Sequence, residues 1–364
     1  LPDSAASAAH VSALFASMRS TSGAERIAVI ALPIALLSRP AILKAVPSGV
    51  MIAITDADKP VMQTARAHET LTALNQLGAK LGGVGQPLTG GEFVVINAER
   101  TSPATILDNV AAIRALWGEV KVIATGVANI SDLEQLLRYG VDYAAGVVDR
   151  TAAVNERTPM SPRLQQICRL IHHVVSDEDF AGVSHVLQSE VELSYQLLRY
   201  VNSAGYGLTR PLESVDHAAT VLGRDGLYQW LTLLLLNCGS GRATSKALRE
   251  IALSRARLLE MLSGYTGAPP SGMFTLGLLS LLDVMLQSSM QEIIDQLPLA
   301  PPLRDALVNR SGDWHSALNL VQALEQGDLA TAASLAWPYG GLEMVIEDSD
   351  EAWRWAAEAS RTKH

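Results

Sequence analysis

Few residues in this chain have both the type and the position to do chemistry. In parallel α/β folds the working side chains project from the C-terminal ends of strands. Reading those ends off the apolar runs gives Pro33, Thr55 and Asp56, the stretch Gly82-Gly83-Val84-Gly85-Gln86, then Asn97 and Thr125. A hard divalent cation needs several carboxylate oxygens converging on it. Only Asp56 and Asp58 qualify, and Asp56-Ala57-Asp58-Lys59-Pro60 reads better as the acidic start of the next helix. Gly82, Gly83 and Gly85 would offer bare backbone amides to an anion. They lack both the G-x-G-x-x-G spacing and a Lys-Ser pair, which favours a tight turn. The histidines (His10, His68, His172, His173, His185, His217, His315 and His364) form no H-E-x-x-H, H-x-E or His-Asp pattern. His172 and His173 are adjacent and so point to different faces of a helix. No G-x-S-x-G elbow occurs, and neither Cys168 nor Cys238 has a base beside it. The residues themselves therefore suggest no catalytic group, metal ligand or cofactor. Gly82, Gly83, Gly85, Asn97 and Thr125 stand as the candidate ligand-binding positions.

Composition narrows the class of protein. Apolar residues make up 48% of 364 positions and charged residues 18%, enough for two packed domains rather than a disordered chain. The formal net charge of −9 lacks the basic footprint of a phosphate-backbone binder, so no nucleic-acid partner is expected. Two cysteines in apolar helical stretches read as buried thiols in a reducing cytoplasm. The apolar runs Trp230 to Cys238 and Met273 to Leu286 fall short of the roughly 20 residues that cross a bilayer, and Leu1-Pro2-Asp3 does not open a signal peptide. A cytoplasmic protein without a membrane segment is the expectation.

Two periodicities divide the chain. Over 1–150, short β-type runs (Ile27–Leu32, Val50–Ile54, near Leu81, Phe93–Ile96, Val120–Ala124 and Val141–Val148) alternate with amphipathic helices at Ala65–Leu77, Ile106–Leu116 and Asp132–Tyr139. Ser131 is the expected N-cap of the last. This alternation implies a mainly parallel sheet, either Rossmann-like or an incomplete (β/α) barrel. Over 151–364 only helical stripes remain. A capped helix spans Ser214–Leu222 and closes on Gly223, a longer one runs through Leu248–Leu262, and residues 273–286, apolar all round, predict one buried central helix. Further helices are expected near 290–297, 302–309, 315–326 and 328–336, with a final helix or a loose end after about residue 345.

The helical half resembles the HDOD domain, a relative of HD-type phosphohydrolases. Leu197-Leu198-Arg199-Tyr200-Val201-Asn202-Ser203-Ala204-Gly205-Tyr206 carries the likeness, followed by Leu212-Glu213-Ser214-Val215-Asp216-His217-Ala218-Ala219 and Val221-Leu222-Gly223. Asn202, Ser203 and Gly223 are the positions that match the family pattern, and the first two suit a turn-forming role after the helix. In HD hydrolases a His-Asp pair on a central helix binds metal; Ser280-Leu281 stands there, and the resemblance implies that this metal site is lost.

The α/β half resembles a degenerate EAL domain, the (β/α) barrel of cyclic-di-GMP phosphodiesterases. Ala53, Val95, Asn97 and Val122-Ile123-Ala124-Thr125 occupy positions where that family carries metal-binding acids or a lysine, and residues 80–91 contain no acid. The two halves together, with Gln296-Leu297-Pro298-Leu299, resemble the EAL-HDOD (YuxH-like) family of bacterial signalling proteins. The resemblance implies a degenerate, incomplete EAL-type barrel followed by an all-helical HDOD domain, with no catalytic residue, metal or cofactor. It also implies a non-enzymatic regulator whose partners are signalling proteins such as diguanylate cyclases or two-component proteins, or a second copy in a homodimer. The alternative is a metal-independent cyclic-di-GMP receptor that binds without hydrolysis.

Overall fold

Side chains alternate across every strand of the first half, and that alternation decides how it is layered. The computed structural model describes residues 15, 29–57, 59–99, 101–146, 162–175, 187, 191–202, 211–238 and 244–361. The chain divides into two compact units, Leu1–Ala152 and Ala153–His364.

In the first unit, β1 (Val29–Leu32), β2 (Met51–Ile54), β3 (Lys80–Val84), β4 (Phe93–Asn97), β5 (Lys121–Val127) and β6 (Tyr143–Gly146) pair in parallel, in chain order. The helices between them pack against one face of the sheet, the arrangement that right-handed crossovers produce. Ile30, Leu32, Ile52, Ile54 and Leu81 on that face pack with helices α1 (Ile34–Leu37), α2 (Pro40–Ala45) and α3 (Ala65–Gln76). Val94, Ile96, Val122 and Ala124 pack with α4 (Pro103–Trp117) and α5 (Ile130–Arg138). On the opposite face, Met51, Ala53, Phe93, Val95 and Ile123 form a cluster of strand residues alone, among the described residues.

This sheet is an open half-barrel, and it corrects the expected EAL-type (β/α) barrel. β1 and β6 are edges, with no pairing between them among the described residues. Closing a parallel sheet takes about eight tilted, staggered strands; six in sequential order stop short. Two local expectations change as well. Asn129 rather than Ser131 caps α5, its Oδ1 accepting from the Asp132 N–H at 2.9 Å, because the helix starts early enough to bury Ile130. Asp56 does not open its own helix: it is buried, and its Oδ1 accepts from the N–H of Ile34 at 2.9 Å, capping α1 from across the sheet. Asp58 lies outside the described residues.

The second unit is helical, with α6 (Pro162–Val175), α7 (Val191–Val201), α8 (Val215–Cys238) and α9 (Ser245–Thr266). They are followed by α10 (Pro270–Leu279), α11 (Leu282–Leu286), α12 (Met290–Ile294), α13 (Pro301–Arg304, running into a π turn over Asp305–Asn309), α14 (Asp313–Gln326), α15 (Leu329–Leu335) and α16 (Leu342–Arg361). The long helix α9 is the spine against which α10, α14 and α16 pack. At Gly277 a Cβ would run into the backbone of Ala256, so α10 and α9 touch main chain to main chain. The single helix expected over 273–286 is two helices, parted at Ser280-Leu281, where the Ser280 hydroxyl donates to the Gly277 carbonyl at 2.7 Å. The C-terminal segment is a helix, α16. It buries Val345, Ala352 and Ala356, and Trp355 meets the edge of Phe274 at 6.1 Å and 81°. No helix among the described residues is long and apolar enough to cross a membrane.

Asp142, just ahead of β6, ties the end of the sheet together. Its carboxylate accepts from the Val122 N–H at 2.9 Å, from Lys121 at 3.0 Å and from Arg114 at 2.9 Å. Burial alone would raise its pKa; the Val122 amide, Lys121 and Arg114 outweigh that and hold it below the usual carboxylate value. A depressed carboxylate contributes stability above its unfolded pKa and loses it as pH falls through the folded one. Asp142→Ala should lower the local stability of β5 and β6 by about 1–2 kcal/mol at neutral pH. Read as amide-exchange protection, the difference from wild type should vanish in acid, below the folded pKa.

Candidate functional site

Register brings two of the predicted positions together: Asn97 on β4 lies opposite Thr125 on β5. Their side chains serve their own backbone. The Asn97 Oδ1 accepts from the Glu99 N–H at 2.9 Å, closing the turn after β4, and the Thr125 hydroxyl approaches the Ile96 carbonyl at 3.5 Å. The glycines beside them answer steric demands. A Cβ at Gly82 would strike Phe93 on the next strand, and one at Gly83 would strike the Gln86 carbonyl. Gly85 takes a left-handed φ of 80° and donates its N–H to Val95 at 2.8 Å. The expected tight turn is therefore confined to Gly85 and Gln86; Gly82 and Gly83 belong to β3 and pair with β2 and β4.

The helical unit has a sharper polar architecture. Asn202, at the end of α7, pairs with Leu212 through both sides of its amide: Nδ2 donates to the Leu212 carbonyl at 2.8 Å and Oδ1 accepts from the Leu212 N–H at 2.7 Å. This side chain imitates a strand partner and joins backbone ten positions away in the chain. Ser203 lies outside the described residues. Gly223 breaks α8 with φ 64° and ψ −176°, a region that is essentially glycine-only.

Ser280, at the break between α10 and α11, is fully buried and faces a buried arginine. Arg255 donates from Nη1 to the Ser280 Oγ at 3.0 Å, from Nε to Glu325 Oε1 at 2.8 Å and from Nη2 to Glu325 Oε2 at 2.6 Å. The Arg255 side chain is 4% exposed and that of Glu325 21%, a forked, desolvated ion pair. Sequence reading missed both residues. The signal was present in α9, where Arg255 interrupts the apolar stripe of Leu248, Ala252, Leu258 and Leu259; nothing marked Glu325. Among the described residues no three His, Cys, Asp or Glu side chains gather as metal ligands.

The comparison with protein families bears on this unit, since residues 160–299 match the HDOD domain. Residues 160–299 are an HDOD domain. Asn202, Gly223, Arg255 and Ser280 fall inside it, whereas Glu325 lies beyond. Two curated relatives align with the chain. One is the uncharacterized protein YuxH of Bacillus subtilis, 30% identical over 42% of this chain and 38% of its own length. The other is the cyclic di-GMP phosphodiesterase CdgJ of Vibrio cholerae, 26% identical over 66% of this chain and 56% of its own length. The matches therefore span 38% and 56% of those relatives. A solved HDOD domain protein of unknown function from Geobacter sulfurreducens is 17% identical over 55% of this chain and 73% of that one, with a TM-score of 0.31.

Two outcomes are expected from this geometry. Asn202→Ala should cost about 0.5–1.5 kcal/mol, seen in urea melts, because the two bonds to Leu212 are exposed and water takes the place of the lost amide. Arg255→Met or Glu325→Gln alone should cost about 3–5 kcal/mol by stranding the opposite charge. The double replacement Arg255→Met with Glu325→Met should recover most of that loss, and a thermodynamic cycle checks it.

Proposed function

We propose that this protein is a non-catalytic bacterial signalling regulator that acts by binding other proteins through its HDOD domain, in cyclic-di-GMP or two-component signalling. One observation carries the non-catalytic part: a buried guanidinium is directed at Ser280. The resemblance to HD hydrolases puts Ser280-Leu281 where those enzymes carry a metal-binding His-Asp pair. An arginine is charged at every accessible pH, so a divalent cation placed there would meet a fixed positive charge in a low-dielectric core. Glu325, the acid near enough to offset it, already gives both oxygens to Arg255. The likeness to CdgJ, a protein named as a cyclic di-GMP phosphodiesterase, supports the link to that second messenger.

Hydrolysis and binding separate under one protocol. The full chain, incubated with cyclic-di-GMP and Mg²⁺ or Mn²⁺, should release no linear dinucleotide above the protein-free blank. Metal-dependent turnover that disappears with EDTA would overturn the non-catalytic reading. Isothermal titration of the same sample with cyclic-di-GMP should show no heat of binding; saturable binding without turnover would make the protein a receptor instead. Pairwise two-hybrid tests against diguanylate cyclases and response regulators of the host should then yield a specific partner.

A further inference from the structure

The open half-barrel leaves a cavity of about 590 Å³ at the N-terminal ends of its strands, opposite the end where the predicted ligand positions lie. Its volume falls in the range of small-molecule sites. Met51 and Phe93, buried at 8% and 0% exposure, form its apolar floor. Trp117, at the end of α4, and Tyr143, at the start of β6, line it with rings that are 40% and 42% exposed.

Charge and aromatic faces decide what such a cavity would hold. Glu92 and Glu119 also line it, are exposed, and make no ion pair among the described residues. Of the two lining lysines, Lys121 bonds Asp142 at 3.0 Å, a carboxylate it shares with Arg114, and Lys80 has no ion pair among the described residues. The lining charges, two lysines and two glutamates, therefore balance, and the rings decide the sign: aromatic faces attract cations through their quadrupole, most strongly for tryptophan. An anion would face two carboxylates and gain nothing from the rings.

We propose that this cavity binds a small organic cation, an ammonium or guanidinium group on an apolar body. The charged head lies against Trp117, Tyr143 and the carboxylates of Glu92 and Glu119, while the apolar body covers Met51 and Phe93. Lys80 then acts against the ligand, which sets the site apart from an anion site in sign.

The test uses the full chain titrated calorimetrically with benzyltrimethylammonium, and with benzoate as the anion of similar shape. Saturable binding of the cation and none of benzoate is expected. Trp117→Ala and Glu119→Gln should each weaken it about five- to tenfold, whereas Lys80→Gln should strengthen it about two- to threefold. Circular dichroism melts establish that each variant is folded; should Trp117→Ala fail to fold, the near-isosteric Glu119→Gln decides alone. Absence of saturable cation binding, preference for benzoate, or weakening by Lys80→Gln would each overturn the proposal.

Discussion

A charge that cannot be neutralised sits in the middle of the helical unit, and much of that unit is arranged around it. Arginine is a permanent cation with five donors, so burying Arg255 requires partners for those donors. Glu325 supplies two oxygens in a fork and Ser280 a third. The third partner explains a break in the chain: Ser280 can face Arg255 while donating to Gly277 only where α10 ends, which separates α10 from α11. The residue after Arg255, Ala256, is the one whose backbone Gly277 touches, so the charge and the closest helix contact share a single turn of α9. Glu325 stands 70 residues away on α14, past residue 299 where the HDOD match ends. The helices beyond the family boundary therefore complete the polar core of the helical unit, and truncation at residue 299 would leave the guanidinium with Ser280 but without its counter-charge.

The sheet unit obeys a different constraint. Parallel strands in sequential order with right-handed crossovers place every helix on one face. That face acquires two clusters of strand and helix side chains, while the other is packed by strand residues alone among those described. Curvature lets Phe93 reach the surface of Gly82, where any side chain would collide with its ring. The absence of side chains at Gly82 and Gly83 reads from this packing, with no ligand required. Among the described residues the six strands leave one side of the sheet without helices, and the cavity lined by Trp117 and Tyr143 lies at the N-terminal ends of those strands.

What the sequence disclosed and what it concealed divide by distance along the chain. The six strands, the amphipathic helices of both halves and the turn-forming character of Asn202 were legible, because each depends on a periodicity or on bonds within about a dozen residues. The cap of α1 by Asp56 was hidden, since its partner Ile34 lies 22 residues away. The strand count did point to an unclosed sheet, since five or six strands fall short of the roughly eight a barrel needs. The run 273–286 misled for another reason: apolar residues all round a helix erase the stripe that would reveal a break, and the group that stabilises the break belongs to α9. Arg255 was half-legible, a charge in an apolar stripe, but its partner could not be guessed from a glutamate near the end of an ordinary helix.

Polar groups matched inside the molecule are unavailable to substrates. In the helical unit Arg255 bonds both Ser280 and Glu325, and Asn202 is joined on both sides to Leu212. At the C-terminal ends of the strands Asn97 bonds to its own turn and Asp56 to α1. Catalysis needs groups held ready for charge that develops only in the transition state, and these positions hold none in reserve. The groups left unmatched, the open rings and carboxylates at the N-terminal mouth of the half-barrel, lie at the opposite end of the strands from the positions that sequence reasoning singled out. Function in this fold is thus better sought at that mouth and on the outer faces of the HDOD helices than at the strand ends where parallel-sheet enzymes do their chemistry.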